Sequence, residues 1–132
     1  MSEDVETVRR AVAAWNRRDA DLWRKYATPD IEWTPASTGA VEGTVYRGYD
    51  AVMAGWASVW ETWDEVFFDE LEIRDLGEGT IWLGRLKLRG ASSHVALDQE
   101  FAVCFELRAG KLATIRAFLS WNDALKAVEM AE

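Results

Sequence analysis

Apolar residues recur at helical spacing from the start of the chain. Val5, Val8, Val12 and Trp15 lie three or four residues apart, the period of a helix with one buried face. Ser2, Glu3 and Asp4 ahead of them suit a helix start. Arg17, Arg18 and Asp19 break the run. Ala20 to Tyr26 predicts a second short helix, with Leu22, Trp23 and Tyr26 on its apolar side. Thr28-Pro29-Asp30 ends it, because the residue before a proline leaves the helical region. Ile31-Glu32-Trp33 predicts a short first strand. Residues 35–48, with Pro35, Gly39, Gly43 and Gly48, read as a loop. Tyr49-Asp50 then opens a third helix with Asp50 as its N-cap. The apolar positions of that helix are Val52, Met53, Trp56, Val59, Trp60 and Trp63.

After Asp64 the period changes to two, the period of a strand. Phe67, Leu71 and Ile73 share one parity. Gly77-Glu78-Gly79 is a turn. In the strand from about Thr80 to Arg89, Trp82, Leu86 and Leu88 share a face with Gly84, while Arg85, Lys87 and Arg89 take the other. Gly90 to His94 is the next turn. A strand from about 95 to 107 follows, then an Ala109-Gly110 hairpin. The last strand places Ile115, Ala117, Leu119 and Trp121 on one face, and a closing helix runs from about Asp123 to Glu129. Helices first and a run of antiparallel strands afterwards define the α+β class.

Composition narrows the partners. The chain has 132 residues and carries a net charge of −8. This length predicts one domain over 1–132, and no linker or repeat interrupts it. The negative field disfavours nucleic acid and anionic membrane surfaces. One cysteine, Cys104, excludes an internal disulfide and fits a reducing, cytoplasmic setting. One histidine, His94, excludes His-rich metal sites. No run of about 18 apolar residues could span a membrane, and the acidic opening Met-Ser-Glu-Asp-Val-Glu is no signal peptide. No phosphate loop, metal constellation or dinucleotide fingerprint is present, so no cofactor is expected. The distinctive feature is eight tryptophans, at 15, 23, 33, 56, 60, 63, 82 and 121.

Several segments in this order resemble the SnoaL-like group of the nuclear transport factor-like cone folds. Val8 to Asp19 resembles the group's opening helix and turn. Ala27-Thr-Pro-Asp-Ile-Glu-Trp33 fits the next position, and Tyr46-Arg-Gly-Tyr-Asp-Ala-Val52 resembles the start of its third helix. Phe105 to Leu112 resembles the last hairpin, and Asp123-Ala-Leu125 the final helix. The resemblance implies helices held in a curved antiparallel sheet, an internal pocket for a small, mostly apolar molecule, and a homodimer. It does not carry a particular activity, because one fold hosts many functions. Ketosteroid isomerase chemistry requires a carboxylate base and an oxyanion hole built from a tyrosine and a protonated aspartate. Here Thr34 or Pro35 stands at the base, Ala11 at the tyrosine and Val103 at the aspartate. Ala117 stands at the last-strand aspartate of the limonene epoxide hydrolase pattern. Both activities are therefore excluded by residue pattern.

Two sets of residues could carry function. For acid–base chemistry the set is His94 with Asp98 or Glu100. An imidazole is the one side chain whose unperturbed pKa lies near neutrality. In the long strand Gln99, Phe101 and Val103 are on the odd, core-facing row, which sends Asp98 and Glu100 outward unless a bulge turns them. His94 also reads as a solvated turn residue, and Cys104 as a packed small side chain. For ligand binding the set is Trp15, Trp33, Tyr46, Trp56, Trp60, Gln99, Phe101, Val103 and Leu119, an aromatic-lined pocket that reads equally as core packing. Ile81 and Leu83, on the face opposite Trp82, predict that the outer sheet face is covered too, by a twofold partner. The sequence thus describes a small hydrophobic-molecule binding protein. The alternative is a cofactor-free acid–base isomerase, cyclase or dehydratase acting on a polyketide- or steroid-like substrate.

Overall fold

A computed structural model describes residues 3–35, 45–77, 79–90 and 96–130. Among these the chain forms α1 (Glu3–Asn16), α2 (Ala20–Arg24), β1 (Ala27–Thr34), β2 (Tyr46–Arg47), α3 (Gly48–Thr62), β3 (Trp63–Asp75), β4 (Gly79–Gly90), β5 (Ala96–Arg108), β6 (Lys111–Phe118) and α4 (Trp121–Met130). The strands make one curled, unclosed sheet in the order β2-β1-β6-β5-β4-β3. Neighbours are antiparallel except β1 with β6, which are parallel. The architecture is α+β, with α1, α2 and α3 on the concave side and α4 on the convex side.

Local chemistry explains most boundaries. The Asp19 carboxylate caps α2 by accepting from the Leu22 amide at 3.1 Å. Pro29, which the sequence pattern places at the end of an element, instead lies inside β1. The β1–β6 register breaks between Ala27 and Glu32, so Pro29 sits where no ladder donor is needed. Ala109 and Gly110 both have positive φ, 53° and 79°, the geometry of a tight primed hairpin turn. The N-cap of α3 is Arg47, without a side-chain cap bond. Asp50 therefore lies within the first turn, where its charge faces the positive helix end.

Two expectations of parity change. In β3 the inward residues are Val66 and Phe68, while Phe67 is 48% exposed and Leu71 58%. A register shift between Glu70 and Glu72 inserts an extra residue, so parity before the bulge does not carry through to Ile73. After β6, Trp121 is not a strand residue. It opens α4, and its indole N–H donates to the carbonyls of Gly84 and Phe101, both at 3.1 Å.

The outer face has two halves. Ile81, Leu83 and Ala102 pack against Ala124, with Cys104, Phe118, Trp121 and Leu125 around them. The apolar stripe expected to meet a partner chain is thus covered by the chain's own α4. Beyond it runs a charged half, with Arg85 on Asp98, Lys87 on Asp69 and Arg89 on Glu65.

Candidate functional site

The concave face closes on an apolar cavity of about 70 Å³. Each element contributes its inward row. Ala11, Val12 and Trp15 come from α1, Trp23 from α2, Trp33 from β1, and Pro35 follows it. Val52, Trp56 and Val59 come from α3, and Val66 and Phe68 from β3. Trp82, Leu86 and Leu88 come from β4, Phe101, Val103 and Phe105 from β5, and Ile115 and Ala117 from β6. Every described lining side chain is apolar apart from the indole N–H of its tryptophans.

Trp15 is the centre of the aromatic wall. Its ring centroid lies 3.9 Å from that of Trp56 edge-to-face, 5.7 Å from Trp33, 5.3 Å from Trp60 and 5.5 Å from Phe68. Trp56 also meets Trp23 at 5.0 Å, and Phe68 continues the wall to Trp82 and Phe101. Such tilted and edge-to-face pairs add attraction beyond the area they bury. Two small residues let the rings fit. A side chain on Gly55 would overlap the Trp33 ring at 2.5 Å. One on Gly84 would meet the Asp69 carbonyl at 2.2 Å and the Trp82 ring at 2.6 Å. Asn16 fastens α1 to the sheet. Its amide donates to the Phe68 carbonyl at 3.1 Å and accepts from the Phe68 N–H at 2.9 Å, so one side chain fixes both Trp15 and Phe68 in place.

Within this wall the indole N–H donors of Trp15, Trp56, Trp60 and Trp82 are buried without a hydrogen-bond partner among the described residues. Buried donors are normally paired, and three of these four belong to lining residues.

Of the residues singled out from sequence, Trp15, Trp33, Trp56, Phe101 and Val103 line the cavity. Tyr46 stacks on Trp33 at 5.1 Å and Trp60 packs edge-on against Trp56 at 4.9 Å, each one layer behind the lining. Gln99 is partly buried opposite Leu86, and Leu119 is 42% exposed; neither lines it. Trp23, Phe68 and Trp82 line it although the sequence pattern did not mark them as ligand contacts. Trp82 was legible as a member of the Leu86 and Leu88 row, whereas Phe68 was hidden by the parity drawn through Phe67.

Of the three ionisable residues considered for proton transfer, the structure describes Asp98 and Glu100. His94 lies outside the described residues. The β4–β5 ladder runs unbroken from Gly79↔Glu106 to Arg89↔Ala96, so no bulge against β4 turns Asp98 or Glu100 inward. Asp98 pairs with Arg85 at 2.6 Å. Glu100 accepts from the Trp121 amide at 2.6 Å, which places its charge at the start of α4. Cys104 sits under α4, where burial pushes its thiol pKa up against the smaller opposing pull of Arg116; a protonated thiol is a poor nucleophile. Among the described residues no cluster of three or more His, Cys, Asp or Glu could hold a metal, and no helix is long and apolar enough to cross a membrane. An open groove on the outside, lined by Asp30, Glu32, Arg47 and Arg108, has these charges joined as Arg47–Glu32 and Arg108–Asp30 pairs.

Known structures share this architecture. An NTF2-like protein of unknown function from Burkholderia pseudomallei superposes with a TM-score of 0.82 at 22% identity, over 96% of this chain and 97% of that one. TerC, crystallised with polyporic acid, gives 0.80 at 16% identity over 97% and 99%. A putative SnoaL-like polyketide cyclase from Jannaschia sp. CCS1 gives 0.78 at 19% identity over 96% and 91%. No curated protein matches the chain in sequence. At these identities the likeness establishes the fold alone. The sequence itself matches the SnoaL-like domain over residues 8–115, most of its length, and the chain belongs to the SnoaL-like domain family.

Proposed function

We propose that the protein binds a small, largely apolar organic molecule inside the cone. The observation that carries this reading is the cavity wall. It is built from the inward rows of α1, α2 and α3 and of every strand except β2, and no described lining side chain is ionisable. Walls of this kind attract ligands by burial of apolar surface, worth about 25 cal/mol per Å². The neighbours support the same use of the fold, since one was crystallised with polyporic acid and another is named as a polyketide cyclase. The ligand contacts are Trp15, Trp33, Trp56, Phe101 and Val103, with Tyr46 and Trp60 bracing the rings from behind. The test is calorimetric titration with a panel of uncharged polycyclic compounds. Saturable binding that weakens by about tenfold or more in Trp15→Ala is the expected result; a panel with no binder would end the proposal.

A single domain, a cytoplasmic location and a homodimer belong to the same reading. Phe67, 48% exposed within the charged half of the sheet, supports assembly. A monomeric mass by light scattering at micromolar concentration would remove the dimer. The catalytic alternative assigns proton transfer to His94. It predicts a loss of about a hundredfold in turnover for His94→Ala on any substrate that is converted, whereas a pure binding protein converts none of the panel.

A further inference from the structure

We propose that the cone holds the methylated ammonium head of a cationic ligand, seated among the rings of Trp33, Trp15, Phe68 and Phe101. This rests on the reading of the cavity as a binding site for a largely apolar molecule and adds the chemistry of the group that the rings hold.

The four rings are consecutive neighbours along one wall. Trp33 meets Trp15 at 5.7 Å and 71°, Trp15 meets Phe68 at 5.5 Å and 57°, and Phe68 meets Phe101 at 5.3 Å and 33°. All four side chains line the cavity, and Trp15 and Phe68 are partly buried where the core around them is closed. Rings inclined in this way curve round a guest, whereas a flat guest stacks best against parallel rings. A rounded group therefore touches several of them at once. The face of an aromatic ring carries the negative part of its quadrupole and attracts a cation held within about 6 Å of its centroid. The cluster already holds one cation behind the lining. The Arg18 guanidinium lies 5.2 Å from the centroid of Trp60, a ring that meets Trp15 at 5.3 Å and Trp56 at 4.9 Å. On the cavity side no described lining residue is cationic, so no described side chain competes for those rings.

Charge and size narrow the guest. A net charge of −8 concentrates cations around the chain and repels anions. A primary ammonium is strongly hydrated and brings three N–H donors that need acceptors, and the described lining side chains are apolar. A quaternary ammonium has no N–H and spreads its charge over methyl groups, and aromatic rings are the surfaces that recognise such heads in other proteins. The cavity of about 70 Å³ is more than twice the ~30 Å³ that a water molecule takes in the liquid, which gives room to a compact group such as trimethylammonium.

The experiment compares choline with its uncharged carbon analogue, the alcohol in which a tert-butyl group replaces trimethylammonium. The two have the same shape and differ in charge. Both are titrated into the full chain and followed by the proton NMR signal of their methyl groups. The expected result is at least about tenfold tighter binding of choline. Its methyl signal should move upfield, because protons above a ring face are shielded. Phe68→Leu and Phe101→Leu, which keep an apolar side chain and delete a ring, should narrow the preference. Should either variant fail to fold, the affinity ratio and the methyl shift of the unaltered protein decide alone. Equal affinities, or tighter binding of the alcohol, would overturn the choice of a cation while leaving the cavity a binding site. Tighter binding of choline without the upfield shift would put it on the acidic exterior and overturn the proposal. If neither probe binds while the uncharged polycyclic panel does, the ammonium head is wrong and the binding site stands. Silence from both sets would remove both.

Discussion

The two faces of β5 carry opposite solutions to the same problem of placing polar groups in a sheet. On the convex face Asp98 meets Arg85 and Glu100 meets the first amide of α4. The concave face presents Phe101, Val103 and Phe105 to the cavity, and the tryptophans packed around it bury indole donors that have no partner among the described residues. The convex face has carboxylates whose charges are answered by neighbours in the same chain. On the concave face, hydrogen-bonding capacity is left over. The apolar wall proposed to receive a ligand therefore lies on the opposite face of β5 from Asp98 and Glu100. The convex carboxylates do structural work: one joins β5 to β4 and the other anchors α4.

That contrast predicts unequal responses to substitution. The largest belongs to Trp56, which touches Trp15, Trp23 and Trp60 and is 2% exposed. Trp56→Ala should lower unfolding free energy by about 3–5 kcal/mol, read from chemical denaturation, and should abolish ligand binding. Gly84→Ala comes next. The added methyl meets the Asp69 carbonyl on one side and the Trp82 ring on the other, so strand β3 or the ring must move. A loss of about 3 kcal/mol is expected, and a fully stable variant would show that the two faces are not coupled through Gly84. Asn16→Ala removes both bonds to the Phe68 backbone. It should cost about 2 kcal/mol and loosen Trp15, seen as faster exchange of the Phe68 amide.

The concave face is largely legible in the sequence, and the reason is regularity. In β4 and β5 the ladder is continuous over Gly79–Arg89, so alternation alone sorts Trp82, Leu86 and Leu88 from Arg85, Lys87 and Arg89, and Phe101 and Val103 from Asp98 and Glu100. Alternation fails where the ladder is irregular. Two register shifts in β3, at Trp63/Glu65 and Glu70/Glu72, flank a row in which Phe68 faces inward and Phe67 outward, and nothing in residues 63–75 announces them. Pro29 misleads for a related reason: a proline ends a helix or a central strand, but a break in register gives it a place inside β1. Ile81 and Leu83 do need cover, as their place opposite Trp82 implies. A second chain is the natural candidate from sequence, because the helical stretch at Trp121–Met130 gives no sign of where it will dock. The docking is set by contacts distant in sequence, chiefly the Trp121 indole on Gly84 and Phe101. The unpaired indole donors are beyond sequence altogether, since a tryptophan on an apolar face is the same letter whether or not its N–H finds a partner.

The smallest expected effect sharpens the comparison from the other side. Asp98 and Arg85 form the shortest pair of the convex ladder at 2.6 Å, yet their side chains are 56% and 38% exposed. Two charges held this far into water gain little from their attraction, because the solvent screens them and both side chains lose freedom in holding one geometry. Asp98→Asn keeps the shape and removes the charge. It should change stability by no more than about 0.5 kcal/mol at about 0.15 M salt. What difference there is should shrink as added salt shortens the screening length from about 8 Å toward about 3 Å at 1 M. The two neighbouring pairs, Lys87–Asp69 and Arg89–Glu65, keep their partners in this variant, so the measurement isolates one link of the ladder. A loss of several kcal/mol, unchanged by salt, would mean that Asp98 is held in a drier setting than its exposure indicates. It would then belong with the buried groups of the concave face and not with the solvated charges of the convex one.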